Sequence, residues 1–442
     1  MPAYHRLSDI VNIETLAREV IEGFVRESTD TSNPELHVLC YTPAATYTRH
    51  WNAVTHACRG LLACYDGHIS DGTADLEDAI MLSRGIPKFF CADGIDEVDG
   101  TITVSLTDDD EEVSEDGLYS FSANAPAHVS DKLDGAMGVT FIDPTTRRAR
   151  IHTKGSTTSD EALAANRILE GLRTTNATLD ADVTRIIESD HMTPVFEILC
   201  TSVAHIVDYG NVNELRLLGA VDHATGEWFP VSESKTLSDF ADRHGIATPE
   251  VFPVSSVGAA LALPERKGCE GVVVCTHDGH RQVMLKVKYE PFLALQQLRN
   301  LANSSRSREI ATRCLADNIT TVERADALDN RKLANLCGID AGVLRKIDAA
   351  SFRRIALMRL QVALSIVQDD DAHSISDEVR LISALYADAE SALTADPNLT
   401  AEKAYVSCVL SRPPELRPVL FAAKDTWFET RARLASNRLK DR

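Results

Sequence analysis

"SDKLDGAMGV" (residues 130–139) sets a lysine two positions ahead of an Asp-Gly pair, between two strand-like stretches. Asp-Gly is a common hairpin turn, so a solvated turn accounts for these residues without any chemistry. A second reading makes Lys132 a reactive amine, with Gly135 letting the backbone turn tightly beside a ligand. The two readings lead to different folds, and the remainder of the chain has to separate them.

Outward from this stretch, the region from about 37 to 290 is dominated by short β-rich runs: "HVLCYT", "RGLLACY", "TITVSL", "MGVTFI", "ARIHTKG", "PVFEILC", "HIVDYG", "LRLLGAV", "EGVVVCT" and "QVMLKVKY". Turn signals separate them, and helical patterns interrupt near 158–173 and 235–244. Ahead of them, "SDIVNIETLAREVIEGFVRE" carries Ile13, Leu16, Ala17, Val20, Ile21 and Phe24 at helical spacing. Beyond about 291 the strands stop, and "DALDNRKLANLCGI", "ASFRRIALMRLQVALSIV", "SDEVRLISALYADAESALTAD" and "TAEKAYVSCVL" all read as helices. The expected fold class is α+β: a domain of antiparallel sheets with flanking helices over 1–295, then an all-α domain over 296–442.

The chain has 442 residues, enough for two or three domains, and its 44% hydrophobic and 25% charged content is that of a globular protein. No run approaches the roughly 18 apolar residues of a membrane helix, and the N-terminus lacks an apolar leader, so a cytoplasmic location is expected. The ten cysteines form no C-x-x-C or paired Cys/His spacing, which argues for reduced thiols and against a zinc site. Forty-five Lys+Arg against 66 Asp+Glu give a net charge of -21, which excludes a general binder of polyanions but leaves room for a local cationic cleft. The acidic runs "TDDDEEVSED" (107–116) and "QDDDAHSISDE" (368–378) read as solvated loops.

Several strand-borne charges accompany Lys132. Arg59 opens a strand in "ACRGLLA", Glu197 sits amid apolar residues in "PVFEILC", and Glu270 heads "EGVVV". Lys286 and Lys288 share one strand face because strand side chains alternate. A lysine, two further lysines on one face and two acids are what covalent nucleotidyl transfer requires. An ordinary lysine, with a pKa near 10.4, is protonated and cannot attack phosphorus. Lys286 and Lys288 are expected to depress the Lys132 pKa and to bind phosphate oxygens. Glu270 is a candidate ligand for Mg²⁺. As a strand-end lysine, Lys132 is expected to contribute little to stability.

The ordered set K-x-D-G, R-G, F-E, E-G-x-V and K-x-K resembles the covalent nucleotidyltransferases, the ATP-dependent ligases and RNA capping enzymes. Over roughly 37–295, "ACRGLL", "PKFF", "TKGSTTSDEA", "FEILCTSVAHIVDYG" and "LRLLGAVDHATGEW" resemble more specifically the RNA ligase 1 group of T-even bacteriophages, the tRNA-repair type. The resemblance implies an ATP-dependent RNA ligase that joins 3′-hydroxyl and 5′-phosphate ends through lysyl-AMP, with ATP and Mg²⁺ or Mn²⁺ as cofactors. It makes Lys132 the adenylylated nucleophile, with Tyr41, Arg59 and Lys88 on the nucleotide and its phosphates. Lys154 falls near the departing pyrophosphate, and Glu197 at the ribose or a metal-bound water. Leu218 and Val273 bracket the adenine, Lys286 and Lys288 grip the α-phosphate, and Glu270 supports the metal. Ala204-His205 departs from the Asn-Arg of that group, and His205 reads as a locally satisfied histidine. The implied partner is RNA, with a cleaved tRNA anticodon loop as the expected substrate, bound by a monomer with no membrane association. In the helical domain, Arg353, Arg354 and Arg359 form the basic cluster suited to RNA. The alternatives are a DNA ligase or capping guanylyltransferase of the same superfamily, or a noncatalytic RNA-binding protein.

Overall fold

β-branched and apolar runs become strands throughout the first 289 residues, and helices take over after them. The protein is seen in a computed structural model that describes residues 5–108, 111–112, 118–201, 205–279 and 281–300. Beyond these it describes 310, 314, 317, 319, 321–339, 344–345, 347–368, 372–395, 401–412, 417 and 420. Two units divide the chain, Met1–Tyr289 and Glu290–Arg442.

In the first unit, β1 (Val25–Thr29), β2 (Leu36–Tyr41), β3 (Arg59–Cys64) and β4 (Ile80–Ser83) form an antiparallel sheet in that order. The helix Ile13–Ile21 packs on it through Leu16 and Val20, against Val25, Leu39 and Leu61. This helix is shorter than its hydrophobic pattern suggests. Gly23 takes a left-handed φ of 83°, which breaks the helix and frees Val25 to open a strand.

The next strands are β5 (Phe90–Val98), β6 (Thr101–Asp108), β7 (Glu111–Glu112), β8 (Leu118–Ser122) and β9 (Ala127–Lys132). A five-stranded sheet follows, from β10 (Ala136–Ile142), β11 (Ala149–Thr153), β12 (Met192–Leu199), β13 (Glu214–Asp222) and β14 (Trp228–Pro230), ordered β11-β10-β12-β13-β14. All its pairings are antiparallel, and helices Asp160–Thr175 and Lys235–His244 cover it over Ile151, Leu169, Phe196, Leu217 and Phe240. Finally β15 (Gly271–His277) and β16 (Gln282–Lys288) slot between β5 and β9, giving the order β7-β6-β5-β16-β15-β9 with β8 on β6. Only the β5–β16 pairing in this sheet is parallel among the described residues.

This topology overturns the hairpin reading of Asp134-Gly135. β9 pairs with β15, whereas β10 pairs with β11 and β12, so Leu133–Gly135 carries the chain from one sheet into another. "HIVDYG", read as a strand, is instead irregular backbone over 205–210, and its amides are used elsewhere. Part of the first acidic run pairs as β6 and β7, while residues 109–110 and 113–117 lie outside the described residues, as do 369–371 of the second. The remainder of the second run opens a helix rather than a loop.

In the second unit the described elements are helices, among them Glu290–Asn300, Asn330–Cys337, Ala349–Gln368, Ala372–Ala395 and Ala401–Leu410. Leu385, Ala389, Tyr405, Val409 and Leu420 form one of its cores. The proposed basic cluster does not form a phosphate-binding face. Arg359 is 1% exposed, and Arg353 is tied to the carboxylate of Asp326 and the carbonyl of Leu328.

Candidate functional site

The strand crossing at 133–135 opens a cavity of about 490 Å³ between the five- and seven-stranded sheets. Register explains which side chains meet there. Gly271 of β15 stands opposite Lys132 on one side and Lys288 on the other, and two residues along, Val273 stands between Ser130 and Lys286. Opposed residues of neighbouring strands share a face. Arg59, Lys132, Lys154, Glu197, Leu218, Val273 and Lys286 all line the cavity.

Lys132 Nζ lies 2.8 Å from Glu270 Oε2, and Glu197 Oε1 accepts a 2.8 Å hydrogen bond from Gly135 N. A Cβ on Gly135 would come within 2.7 Å of Glu197 Cγ and of the Ile198 carbonyl, so only glycine allows the crossing to pass this close. Gly60 has a comparable role. With a φ of 79°, it brings β3 close enough that an added Cβ would lie 3.1 Å from Lys154 Cα, which places Arg59 and Lys154 on one wall.

The electrostatics differ from the sequence-based expectation at Lys132. Burial acts to lower its pKa, but the Glu270 and Glu197 carboxylates outweigh that and raise it. The carboxylate in contact counts for more than the cations on β16, two strands over. Depression falls on Lys286 instead, which burial, followed by Arg59 and Lys88, brings down to about 7. Burial also pushes Glu197 up to about 7, against the opposing effect of Lys132.

Four of the sequence candidates stand outside the cavity wall. Glu270 is 5% exposed and reaches the cavity through Lys132. Lys288, at the end of β16, acts on the Glu270 carboxylate by charge. Lys88 is buried in an aromatic cage: its Nζ lies 4.8 Å from the Tyr41 ring centre, 5.0 Å from Trp51 and 5.3 Å from Phe90. The Tyr41 hydroxyl is 3.3 Å from the same Nζ, and Lys154 Nζ lies 5.6 Å from the centre of the Tyr41 ring. His205 is satisfied locally, its Nε2 3.1 Å from the Cys200 carbonyl; Ala204 lies outside the described residues.

Sequence reasoning missed three contributors. Phe89 lines the cavity beneath both Lys286 Nζ (4.7 Å) and the Arg59 guanidinium (5.3 Å), although "PKFF" drew attention only to Lys88. Arg26 also lines it, from a segment whose helical pattern concealed a strand. Asp134 was treated as a turn residue, yet its buried carboxylate accepts from the amides of Ile206 and Val207 (2.5 and 2.8 Å), while Asp134 N donates to Tyr209 Oη (2.8 Å). "HIVDYG" thus locks the crossing in place, and that is why it is not a strand.

The cavity combines an apolar wall with polar and cationic groups. Leu218, Val273, Met137 and Met284 pack against Ile86, Phe89, Val195 and Trp228, while Arg26, Arg59, Lys154 and Lys286 supply positive charge. An aromatic base with an anionic tail fits this division. Glu197 and Glu270 offer only oxygen donors, a set suited to Mg²⁺ or Mn²⁺.

No family model matches this chain, and no curated protein matches it. Among solved structures, it is similar to an RNA ligase of Naegleria gruberi with ATP and Mn, at 12% identity and a TM-score of 0.29, over 37% of this chain and 49% of that one. Another structure of that ligase, with AMP and Mn, matches at 9% identity and a TM-score of 0.30, over 61% of this chain and 95% of that one. An archaeal ATP-dependent RNA ligase matches at 11% identity and a TM-score of 0.31, over 69% and 76% respectively. The chain spans about half the length of the first of these structures. At such values, function has to be read from this chain's own side chains.

Proposed function

We propose that the chain is an ATP-dependent RNA ligase that works through a lysyl-AMP intermediate. The observation that carries this reading is the position of Lys132: at a sheet-to-sheet crossing, paired with Glu270, and opening onto a cavity with cationic groups and an apolar wall. Leu218 and Val273 would bracket the adenine, and Arg59, Lys154 and Lys286 would hold phosphate oxygens. The Lys132 amine would attack the α-phosphorus and expel pyrophosphate, which requires it first to lose the proton that Glu270 and Glu197 now stabilise. A divalent cation held by those carboxylates would supply positive charge against the triphosphate. AMP would then pass to an RNA 5′-phosphate, and a 3′-hydroxyl would displace it. Lys88 and Tyr41 would brace Lys154 rather than touch the nucleotide.

The test is incubation with α-labelled ATP or GTP and Mg²⁺, followed by 5′-phosphorylated single-stranded RNA, nicked DNA and a tRNA broken in its anticodon loop. An adduct from ATP, with sealing of RNA, is expected. Labelling by GTP would point to a guanylyltransferase, and no adduct at all to a noncatalytic protein.

Two further outcomes are expected. A protein ending near residue 298 should still form the adduct, because each candidate residue precedes Tyr289, but should no longer favour the broken tRNA over generic RNA. Comparing adduct yield and both sealing rates checks this, and unaltered preference would remove the helical unit from RNA selection. The second outcome concerns protons. With its pKa near 7, Lys286 is mostly neutral at pH 8.5, and phosphate oxygens beside it favour the charged form. ATP binding to a Lys132→Ala protein, which stops before chemistry, should therefore take up protons at that pH, though less than one per site because loss of the Lys132 charge itself lets the Lys286 pKa rise. Calorimetry in buffers of differing ionisation enthalpy would detect it, and proton release would contradict Lys286 as a phosphate ligand.

A further inference from the structure

Away from the cavity, three histidines from remote parts of the chain converge. His5, His191 and His223 each offer an imidazole nitrogen, and these ligand atoms all lie within 4.8 Å of one another. The ring centres are 5.6, 5.8 and 6.4 Å apart. We propose that this cluster binds one divalent transition-metal ion of the Zn²⁺ class through three imidazoles, tying the N-terminal segment to the adjoining ends of β12 and β13.

The backbone places the three rings. His191 immediately precedes β12 and His223 immediately follows β13, where Met192 pairs with Asp222. His223 N donates to the His191 carbonyl at 2.9 Å. His5 arrives on a segment laid along β4: its carbonyl accepts from Met81 N at 2.9 Å, and Arg6 bridges to Ile80.

Three features suit a ligand here. First, Nδ1 of His191 is buried without a hydrogen-bond partner among the described residues, an unmet polar atom that a bound ion would satisfy. Second, His191 holds a left-handed φ of 51°, an uncommon backbone for a non-glycine residue, which fixes where its ring leaves the turn before β12. Third, Nε2 of His223 is engaged by Thr193 Oγ1 at 2.9 Å, and that oxygen also accepts from Arg84 N at 3.1 Å. Such a bond to the second ring nitrogen orients metal-bound histidines, and it leaves Nδ1 as the nitrogen open to an ion.

Charge and donor type narrow the ion. Three imidazoles supply only neutral nitrogen donors, which bind a metal ion through a lone pair. Arg84 adds a positive charge nearby, donating to the His223 carbonyl at 2.9 Å, and Asp222 opposes it. A set of nitrogens alone favours Zn²⁺, Ni²⁺, Co²⁺ or Cu²⁺ over the oxygen-seeking Mg²⁺. Tetrahedral Zn–N bonds of about 2.0–2.1 Å need nitrogens about 3.4 Å apart, so nitrogens at the 4.8 Å limit must draw in by about 1.4 Å.

The test uses the full-length protein, stripped by a chelator and titrated with Co²⁺ and then Zn²⁺. All ten cysteines are free thiols, so the spectrum must separate the sites. One equivalent of Co²⁺ is expected, with visible d–d bands and no intense thiolate-to-cobalt charge transfer. His5→Ala should weaken binding at least tenfold, abolish the rise in melting temperature caused by Zn²⁺, and leave the metal-free melting temperature unchanged. His191→Asn, in which asparagine tolerates the left-handed backbone, gives an independent variant with the same expected loss. Unchanged affinity in both variants, or a thiolate charge-transfer band on the first equivalent, would overturn the proposal.

Discussion

Lys132→Ala is expected to form no covalent nucleotide adduct, since no other amine occupies its place at the sheet crossing. The next cavity amines are on Lys154, just past the end of β11, and on Lys286 of β16, each on a different part of the cavity wall from Lys132. A displacement of about 1 Å from the attack geometry already costs about 10²-fold. The variant should also be less stable, against the expectation that a strand-end lysine contributes little. Lys132 is 18% exposed at its side chain and Glu270 6%, so removing the lysine leaves a buried carboxylate without its ammonium partner. Breaking such a pair costs about 3 kcal/mol at the lower end of its range. Glu270 can escape part of that cost by taking a proton, so the deficit should grow as pH rises and shrink as it falls. Denaturant melts at pH 5 and pH 8, run beside labelling with α-labelled ATP, test both statements. A folded variant that still becomes labelled would show that the nucleophile lies elsewhere, and a deficit larger at pH 5 would deny the buried pair.

The contrast between what was and was not legible in the sequence follows from which properties are local. Strand alternation alone placed Lys286 and Lys288 on one face, and β-rich texture marked β10, β12, β13, β15 and β16 close to their observed limits. Register is not local. The 2.8 Å contact of Lys132 with Glu270 exists because Gly271 stands opposite Lys132 across β9 and β15, and no spacing along the chain encodes that. The sign of the Lys132 pKa shift was therefore misread, and the depressed lysine is Lys286. Asp134-Gly135 resembled a hairpin because its composition suits one; only the partners of β9 and β10 reveal a passage between sheets. Arg359 looked like a surface cation, yet the apolar residues around it in "ALMRLQ" carry it into the interior. The three histidines were invisible for the same reason, since residues 5, 191 and 223 carry no motif.

Glu270→Gln should lower adenylylation by about 10² or more while the fold persists, and the direction of the change is as informative as its size. Glutamine keeps the shape and a donor-acceptor group beside Lys132 but removes the negative charge. Two consequences oppose each other. Without the carboxylate, the ammonium form of Lys132 loses the partner that raises its pKa, so the reactive amine becomes more abundant near neutral pH. That change by itself would speed the attack. Against it, the site loses one of its two oxygen-donor carboxylates, and a divalent cation opposite a triphosphate contributes several kcal/mol of charge stabilisation. Each 1.36 kcal/mol is tenfold in rate, so weakening that support by about 3 kcal/mol outweighs a modest gain in free amine. The rate should therefore fall, it should respond more steeply to Mg²⁺ concentration, and its dependence on pH should move to lower values as Lys132 deprotonates more readily. Single-turnover labelling across pH 6–9 at limiting and saturating Mg²⁺ resolves the two effects. A faster reaction at every Mg²⁺ concentration would mean that Glu270 only restrains Lys132 and holds no metal, whereas a slower reaction with an unshifted pH profile would mean that the 2.8 Å contact does not govern the protonation of the nucleophile.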